Sequence, residues 1–325
     1  MADFPPFEYL MVLPRLRVQN ANALSSPMTH GFPSMTAFLG LMWALERKTQ
    51  AAGLDLQFNA VSVVAHDFDE QTHRSGYISS FRLTRNPMGK DGKPAAIVEE
   101  GRIHLELSLV FAVRSDALRE PGKAREVAAQ VQELVSTMRI AGGTVLPIQP
   151  RNRKQAPYVE PFTGDDADNK KRFNRLKMRL LPGFVLVERS DLLDERLAEL
   201  RKTAPDANRL DAWLSLSRIN WTWQPGEDGS GEWQHDRKGW LVPIPLGYGA
   251  LTEVQAPGSV ANARDSTTPF CFVESVYGIG QWLSPHRLQS SEQMFWYPDS
   301  QPNEGLYRCR NGYSPELTPE YDYDL

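Results

Sequence analysis

Between Leu13 and Trp43 the chain gathers side chains that donate or accept hydrogen bonds: Gln19, Asn20, Asn22, Ser25, Ser26, Thr29 and His30. Arg15 and Arg17 flank them. Such a set suits a polyanion with readable edges, because arginine meets phosphate while amides and hydroxyls meet base edges. It equally describes an ordinary surface loop held by Asx and Ser/Thr turns. A second set lies within 67–100, where Arg74, Arg82, Arg85, Lys90 and Lys93 are interleaved with Tyr77 and Phe81, with Arg102 just beyond. Cations mixed with aromatics hold splayed single-stranded bases by stacking; a dimerisation or lattice arm is the plainer alternative. The third set lies on a helix expected over Asp165–Leu181. Phe173, Leu176 and Leu180 fall at i, i+3 and i+7, so Lys171, Arg172, Arg175 and Arg179 share much of the other side. Together with Lys170 and Lys177 they offer phosphate contacts, each adding to a salt-dependent affinity, or a solvated basic face.

Other chemistries find less support. The six histidines include no pair in a helical two-His motif with a carboxylate. His66 and Asp67 with Asp69 and His73 form the nearest metal-like cluster, and a solvated strand end explains them as well. There is no Gly-x-Ser-x-Gly elbow, and neither Cys271 nor Cys309 has a neighbouring histidine in sequence. Glu99 and Glu100 are adjacent on an expected strand and so point to opposite faces. Gly278-Ile279-Gly280 is a lone fragment of a glycine-rich motif without a strand–turn–helix context. No catalytic residue, cofactor or metal is therefore expected.

These residues need elements to position them. Tyr9–Leu13 reads as a buried strand stopped by Pro14, followed by a long polar loop. A helix follows with Met35, Phe38, Leu39, Met42 and Leu45 on one face and Ser34 at its N-cap. Leu54–His66 reads as a second strand. Phe81–Pro94 looks like an extended hairpin projecting from the body. Ile103–Val113 puts Ile103, Leu105, Leu107, Leu109, Phe111 and Val113 on one face and His104, Glu106 and Ser108 on the other, which defines a strand, and Lys123–Met138 carries a helical stripe ending at Gly142-Gly143. With Thr144–Leu146 as a fourth strand, the order is the βαββαβ of a ferredoxin-like, RNA-recognition-motif-type fold. The fold class expected is thus α+β, with a body over 1–150, a thumb inserted at about 67–102, and an accessory helical and β portion over 151–325. In that second part, 147–164 reads as a linker with Arg151, Arg153 and Lys154. Phe184–Val187 reads as a strand, and Ser190–Lys202 (capped by Ser190) and Asp206–Ile219 as helices. Trp221–Gly239 reads as loop, Trp240–Pro245 and Phe270–Tyr277 as strands around a polar loop with Asn262, Arg264 and Asp265. The aromatic 278–325 stretch has weak periodicity and acidic residues near its end.

The chain has 325 residues and a net charge of −4. That balance argues against binding free nucleic acid by bulk charge and leaves room for a local basic face within an assembly. Two cysteines exclude a disulfide scaffold, and no apolar run reaches the roughly 18 residues of a membrane span. A cytoplasmic location is expected. Trp221, Trp223, Trp233, Trp240, Trp282 and Trp296 read as exposed aromatics that a partner would cover.

Several runs also carry a resemblance: LPRLRVQNANALSSPMTHGFPSMTAFLG, LTRNPMGKDGKPAAIVEEGRIHLELSL, RIAGGTVLP, RLLPGF, GWLVPIPLGY, NARD and GQWLSPHR, in order from Leu13 to Arg287. They resemble the Cas-five-like tail subunit of the type I-F CRISPR Csy (Cascade) surveillance complex, the subunit that holds the 5′ handle of the crRNA. The resemblance implies a ferredoxin-like body with a thumb that lies across the RNA. It implies pairing with the large subunit of the Csy complex, a place beside a backbone subunit, and peripheral contact with target double-stranded DNA. No nuclease activity is implied, because crRNA cleavage in such systems belongs to another subunit. Carried over by position, Arg15, Arg17, Gln19, Asn20, Asn22, Ser25 and Ser26 would line the handle-binding surface, and Arg82, Arg85 and Asn86 lie on the thumb segment. Lys170, Lys171, Arg172, Arg175 and Arg179 match a basic helix that meets nucleic acid or a neighbouring subunit. Two alternatives stay open: an endoribonuclease on the same scaffold with His30 or His66 as general base, and a purely structural clamp.

Overall fold

Apolar residues at alternating positions build one large antiparallel sheet, and its strands are numbered here in chain order. The computed structural model describes residues 4–89, 91–120, 122–147, 155–226, 231–237, 239–263 and 265–315. β1 (Tyr9–Asn22) leads through α1 (Met35–Ala51) to β2 (Gln57–Glu70). β3 (Arg102–Arg114) leads through α2 (Lys123–Ser136) to the short hairpin β4 (Arg139–Ile140) and β5 (Gly143–Val145). Their spatial order is β5–β1–β3–β2, every pair antiparallel. β6 (Tyr158–Pro161) pairs with the Tyr9–Val12 end of β1.

The sheet continues through β7 (Phe184–Glu188), β9 (Val273–Leu283), β8 (Leu241–Ala250), β11 (Leu306–Asn311) and β10 (Trp296–Gln301), in that spatial order from β2. Trp296 of β10 then pairs with Val61 of β2, so six strands close into a ring that shares β2 with the N-terminal sheet. Strand closure removes the exposed edge that an open sheet would leave. The molecule is therefore mixed α/β, with five α-helices among the described residues.

Period two in the strands decides which layer each residue joins. Met11 and Leu13 face α1 and α2 with Phe38, Met42 and Val131. Leu10, Val12, Val110 and Ala112 face the opposite layer, formed by Phe173, Leu176, Leu288 and Phe295. β1 is thus covered on both sides at its start, which is why Tyr9–Leu13 is an unbroken apolar run.

Here the structure corrects the sequence expectation. Pro14 does not stop the strand. β1 runs on to Asn22 with register breaks between Leu13 and Leu16 and between Val18 and Ala21. Arg15 and Asn20 sit at those breaks, each with φ of +56°. Each bulge inserts a residue and flips the side-chain parity. Leu16 and Val18, and after the second bulge Ala21 and Ala23, therefore stay in the helix-side core. The supposed loop residues Arg15, Arg17, Gln19, Asn20 and Asn22 are strand residues.

Further corrections concern the second half. Trp221–Pro225 and Gly231–His235 form a hairpin rather than a loop, and the weakly periodic C-terminal stretch supplies β10 and β11. Trp282 and Trp296 are core residues, and Trp296 Nε1 donates to Leu186 O at 2.8 Å. Gly278 and Gly280 belong to β9, where an added Cβ would meet Leu246 Cδ1 at 2.4 Å and Leu186 Cδ1 at 2.8 Å. The glycine pair serves close strand packing. Ser34 precedes α1 without a side-chain cap bond. Ser190 is the first residue of α4 (Ser190–Arg201), whose N-cap is Arg189; α5 (Arg209–Ser217) carries a full capping box from Asn208 and Asp211. Lys90, Arg151, Arg153, Lys154, Arg264 and the acidic end of the chain lie outside the described residues. No helix among the described residues is long and apolar enough to cross a membrane.

Candidate nucleic-acid interface

Past Pro14 the second layer no longer covers β1, and polar residues take over that face. Arg15, Arg17 and Gln19 on β1, His104 and Glu106 on β3, and Asp67, Phe68 and Asp69 on β2 line a groove of about 660 Å³. The bulges put these β1 side chains on the open face while Leu16 and Val18 stay in the core. Asp67, Asp69 and Glu106 outnumber the two arginines, so the groove is not a bulk phosphate trap. Its hydrogen-bonding groups suit base edges, where carboxylates accept from amino groups.

The arginines differ in role. Arg15 Nη1 donates to Glu106 Oε1 at 2.9 Å, Nη2 donates to Pro182 O at 3.3 Å, and its backbone N–H donates to Ser108 Oγ at 3.0 Å. It clasps β3 and the turn after α3 (Asp166–Arg179) to β1. Arg17 is exposed and has no ion-pair partner among the described residues. Among the described residues lining the groove, its guanidinium is the one without an ion-pair partner.

His66 sits beneath this clasp. Its Nδ1 lies 2.7 Å from Pro182 O, which only accepts, so Nδ1 carries the proton and donates. Nε2 therefore accepts from Ser108 Oγ at 2.7 Å. Burial, above all, lowers its pKa to about 4, with the Arg15 charge acting in the same direction against the Pro182 bond and Glu106. His66 is a neutral structural residue. Among the described residues no group of three or more His, Cys, Asp or Glu is arranged to hold a metal ion.

The remaining β1 candidates shape the backbone. The Asn20 N–H donates to His104 Nδ1 at 3.1 Å. Asn22 caps its own turn: Nδ2 donates to Leu24 O at 2.8 Å and Oδ1 accepts from the Leu24 N–H at 3.1 Å. Ser25 and Ser26 both bond the Thr29 hydroxyl, at 2.7 and 2.6 Å, across the small hairpin Leu24–Ser26/Thr29–His30. Asn22, Ser25 and Ser26 thus fold a turn that carries His30, whose Nδ1 is 2.9 Å from Glu70 Oε1.

The expected thumb is two short hairpins in series, Thr72–Ser75/Ile78–Phe81 and Leu83–Arg85/Ile97–Glu99. Its base is tied by Glu100, which accepts from Thr84 Oγ1 at 3.0 Å, Asn86 Nδ2 at 3.2 Å and Arg102 Nη2 at 2.5 Å. Those bonds, the one from Arg102 first, hold the Glu100 carboxyl below its ordinary pKa. Asn86 is therefore committed to the thumb base, whereas Arg82 and Arg85 are exposed without ion-pair partners among the described residues. Tyr77, Ile78, Leu83 and Met88 add exposed apolar surface to the same projection.

α3 spans the expected helix, and Asp165 caps it by accepting from the Asp168 N–H at 2.8 Å. Its basic stripe divides. Arg172 and Arg175 share Glu160 at 3.2 and 3.7 Å, and the Arg179 guanidinium lies 3.7 Å over the Tyr158 ring. These three bind α3 to β6. Lys170 and Lys171 remain exposed and unpaired among the described residues.

One feature escaped the sequence reading. Phe32, Phe184, Trp240 and Trp282 line an apolar slot of about 290 Å³, with His30 and Glu70 at its rim. Phe32 meets Trp282 edge-on at 4.9 Å, and Phe184 meets Trp240 at 5.3 Å. Asp67 and Phe68 line both slot and groove. The four aromatics come from distant segments, so no local pattern announces them.

These observations define a mixed α/β protein whose antiparallel sheet leaves a polar strip open, with an arginine-bearing projection and a partly exposed basic helix as further cationic surfaces. The profile of the family described as CRISPR-associated protein (Cas_Csy2) matches residues 11–309, and the chain belongs to that family. It is 47% identical over 314 residues to the CRISPR-associated protein Csy2 of Pseudomonas aeruginosa (strain UCBPP-PA14), covering 93% of this chain and 94% of that protein.

Proposed function

We propose that this chain is the non-catalytic subunit of a type I-F CRISPR surveillance complex that binds the 5′ handle of the crRNA. In this reading it pairs with the large subunit, sits beside a backbone subunit and contacts target double-stranded DNA only peripherally, in the cytoplasm. The observation that carries it is the family match over 11–309, which takes in the open strip and the projecting hairpins together. The β5–β1–β3–β2 order with two crossover helices supports a ferredoxin-like, RNA-recognition-motif-type body. We assign that body to 1–150 and an accessory portion to 151–325.

Within this reading, Arg17, Arg82 and Arg85 meet the RNA backbone, and Gln19 and the groove carboxylates meet base edges. Lys170 and Lys171 form a separate cationic spot for nucleic acid or a neighbouring subunit. Arg15, Asn20, Asn22, Ser25, Ser26, Asn86, Arg172, Arg175 and Arg179 act by holding the surface in shape. An endoribonuclease would need a general base working near neutral pH. His66 has both ring nitrogens occupied and a pKa of about 4, so it is unsuited to that role.

The test is purification of the tagged chain from cells carrying the CRISPR locus, with sequencing of bound RNA. A copurifying RNA of uniform 5′ end, lost when Arg17, Arg82 and Arg85 are replaced together, is expected. Recovery of the partner subunits without RNA, or RNA cleavage by the isolated chain, would overturn the assignment.

A further inference from the structure

The slot of about 290 Å³ is at the lower end of what ligand pockets offer, room for a ring system rather than an extended ligand. Its walls are Phe32, Phe184, Trp240 and Trp282, and its rim holds Glu70 and His30. Phe68, 54% exposed on β2, stands between slot and groove. The His30 ring meets Phe81 of the first thumb hairpin edge-on at 5.6 Å, so the mouth of the slot adjoins the base of the projection. A strand lying in the groove and turning toward the projection would pass this mouth. The aromatic rings among the groove residues are Phe68 and the His104 imidazole, and Phe68 is the one that also lines the slot, so a base stacked on Phe68 stands at the slot's entrance.

We propose that the aromatic slot receives one unstacked nucleobase carrying an exocyclic amino group, with Phe68 as the stacking step at its entrance and the Glu70 carboxylate as acceptor for the amino hydrogens. The proposal rests on the RNA-binding reading above and deepens it. Glu70 Oε1 already accepts from His30 Nδ1, which leaves the second carboxylate oxygen and its lone pairs for the ligand. An acceptor-rich rim favours adenine, cytosine or guanine. Uracil presents two carbonyls around a single N–H and fits worst.

The experiment uses the full chain and three probes, oligo(A), oligo(C) and oligo(U) of equal length, followed by anisotropy and by the fluorescence of the slot tryptophans. Oligo(A) and oligo(C) are expected to bind about tenfold more tightly than oligo(U) and to quench tryptophan emission, on the scale of one stacked and hydrogen-bonded base. Glu70→Gln is expected to bring the three within about twofold of one another while oligo(U) affinity holds. Trp240→Ala, at a half-exposed wall residue, is expected to remove the preference and about tenfold of affinity; Glu70→Gln keeps the test decisive if that variant does not fold. RNA binding without base preference, unchanged in both variants, overturns the slot alone. Loss of a copurifying protein from Trp240→Ala with RNA affinity intact makes the slot a socket for a protein side chain and likewise overturns it. Failure of the wild-type chain to bind any of the probes overturns the RNA-binding reading itself.

Discussion

Arg15 and Glu106 pair at 2.9 Å across the two central strands, on the open face of the sheet. The pair takes one of the two groove arginines out of circulation. It also explains how a residue with φ of +56° is held: three hydrogen bonds fix Arg15 at the bulge. The neighbouring arginine, Arg17, has the opposite status.

Arg15→Ala and Arg17→Ala should therefore separate. Arg15→Ala is expected to lower unfolding stability by on the order of 1 kcal/mol, the pair being partly solvated. Arg17→Ala should leave stability within about 0.5 kcal/mol and reduce the salt slope of RNA binding by about one contact. Denaturant titration and anisotropy across a salt series read the two effects.

His66 predicts an acid-sensitive fold. Its folded pKa, about 4, lies below the ordinary 6.5, so its contribution is complete above pH 6.5 and is lost as pH falls toward 4. The loss is on the order of 3 kcal/mol. His66→Gln should be less stable at pH 7 yet show a flatter stability curve between pH 6.5 and 4. An equally steep curve in the variant removes His66 as the cause.

The two halves of the α3 basic stripe should also separate. Arg172→Ala breaks the bond to Glu160 that ties α3 to β6, and about 1 kcal/mol of stability is expected to go with it. Lys170→Glu with Lys171→Glu should leave thermal stability nearly unchanged and weaken assembly of the RNA-loaded complex, read by gel filtration.

The tryptophans should diverge most of all. Trp296→Ala removes a fully buried side chain and orphans Leu186 O, at a cost of about 3–5 kcal/mol. Trp223→Ala, on the outer hairpin beside Trp233, should cost well under 1 kcal/mol. Chemical denaturation of both variants checks the contrast.

For the thumb, Glu100→Gln should loosen the junction, since Thr84, Asn86 and Arg102 all converge on that carboxylate. Faster proteolysis between 71 and 101, with the rest of the chain intact, is the expected readout. Unchanged cleavage would mean that the backbone pairing alone holds the hairpins.

What the amino-acid sequence determined by itself is what repeats locally. The apolar period of two from Ile103 to Val113 became β3, the apolar stripe of 123–138 became α2, and Phe173, Leu176 and Leu180 became the buried face of α3. Each of these patterns follows from burial of one face at a fixed period. β1 was legible only to Leu13, because two bulges shift its phase and a shifted alternation resembles no alternation at all. β10, β11 and the Trp221–His235 hairpin were lost for a related reason: prolines and aromatics mask a short strand until a partner strand fixes its register. Tertiary structure alone decided which cations are free. Glu106, Glu160 and Tyr158 are remote in sequence from the arginines they hold, and charge pairing depends on distance in space. The same holds for the slot, whose four aromatic walls lie on distant segments and meet only when β7, β8 and β9 pack beside the start of α1.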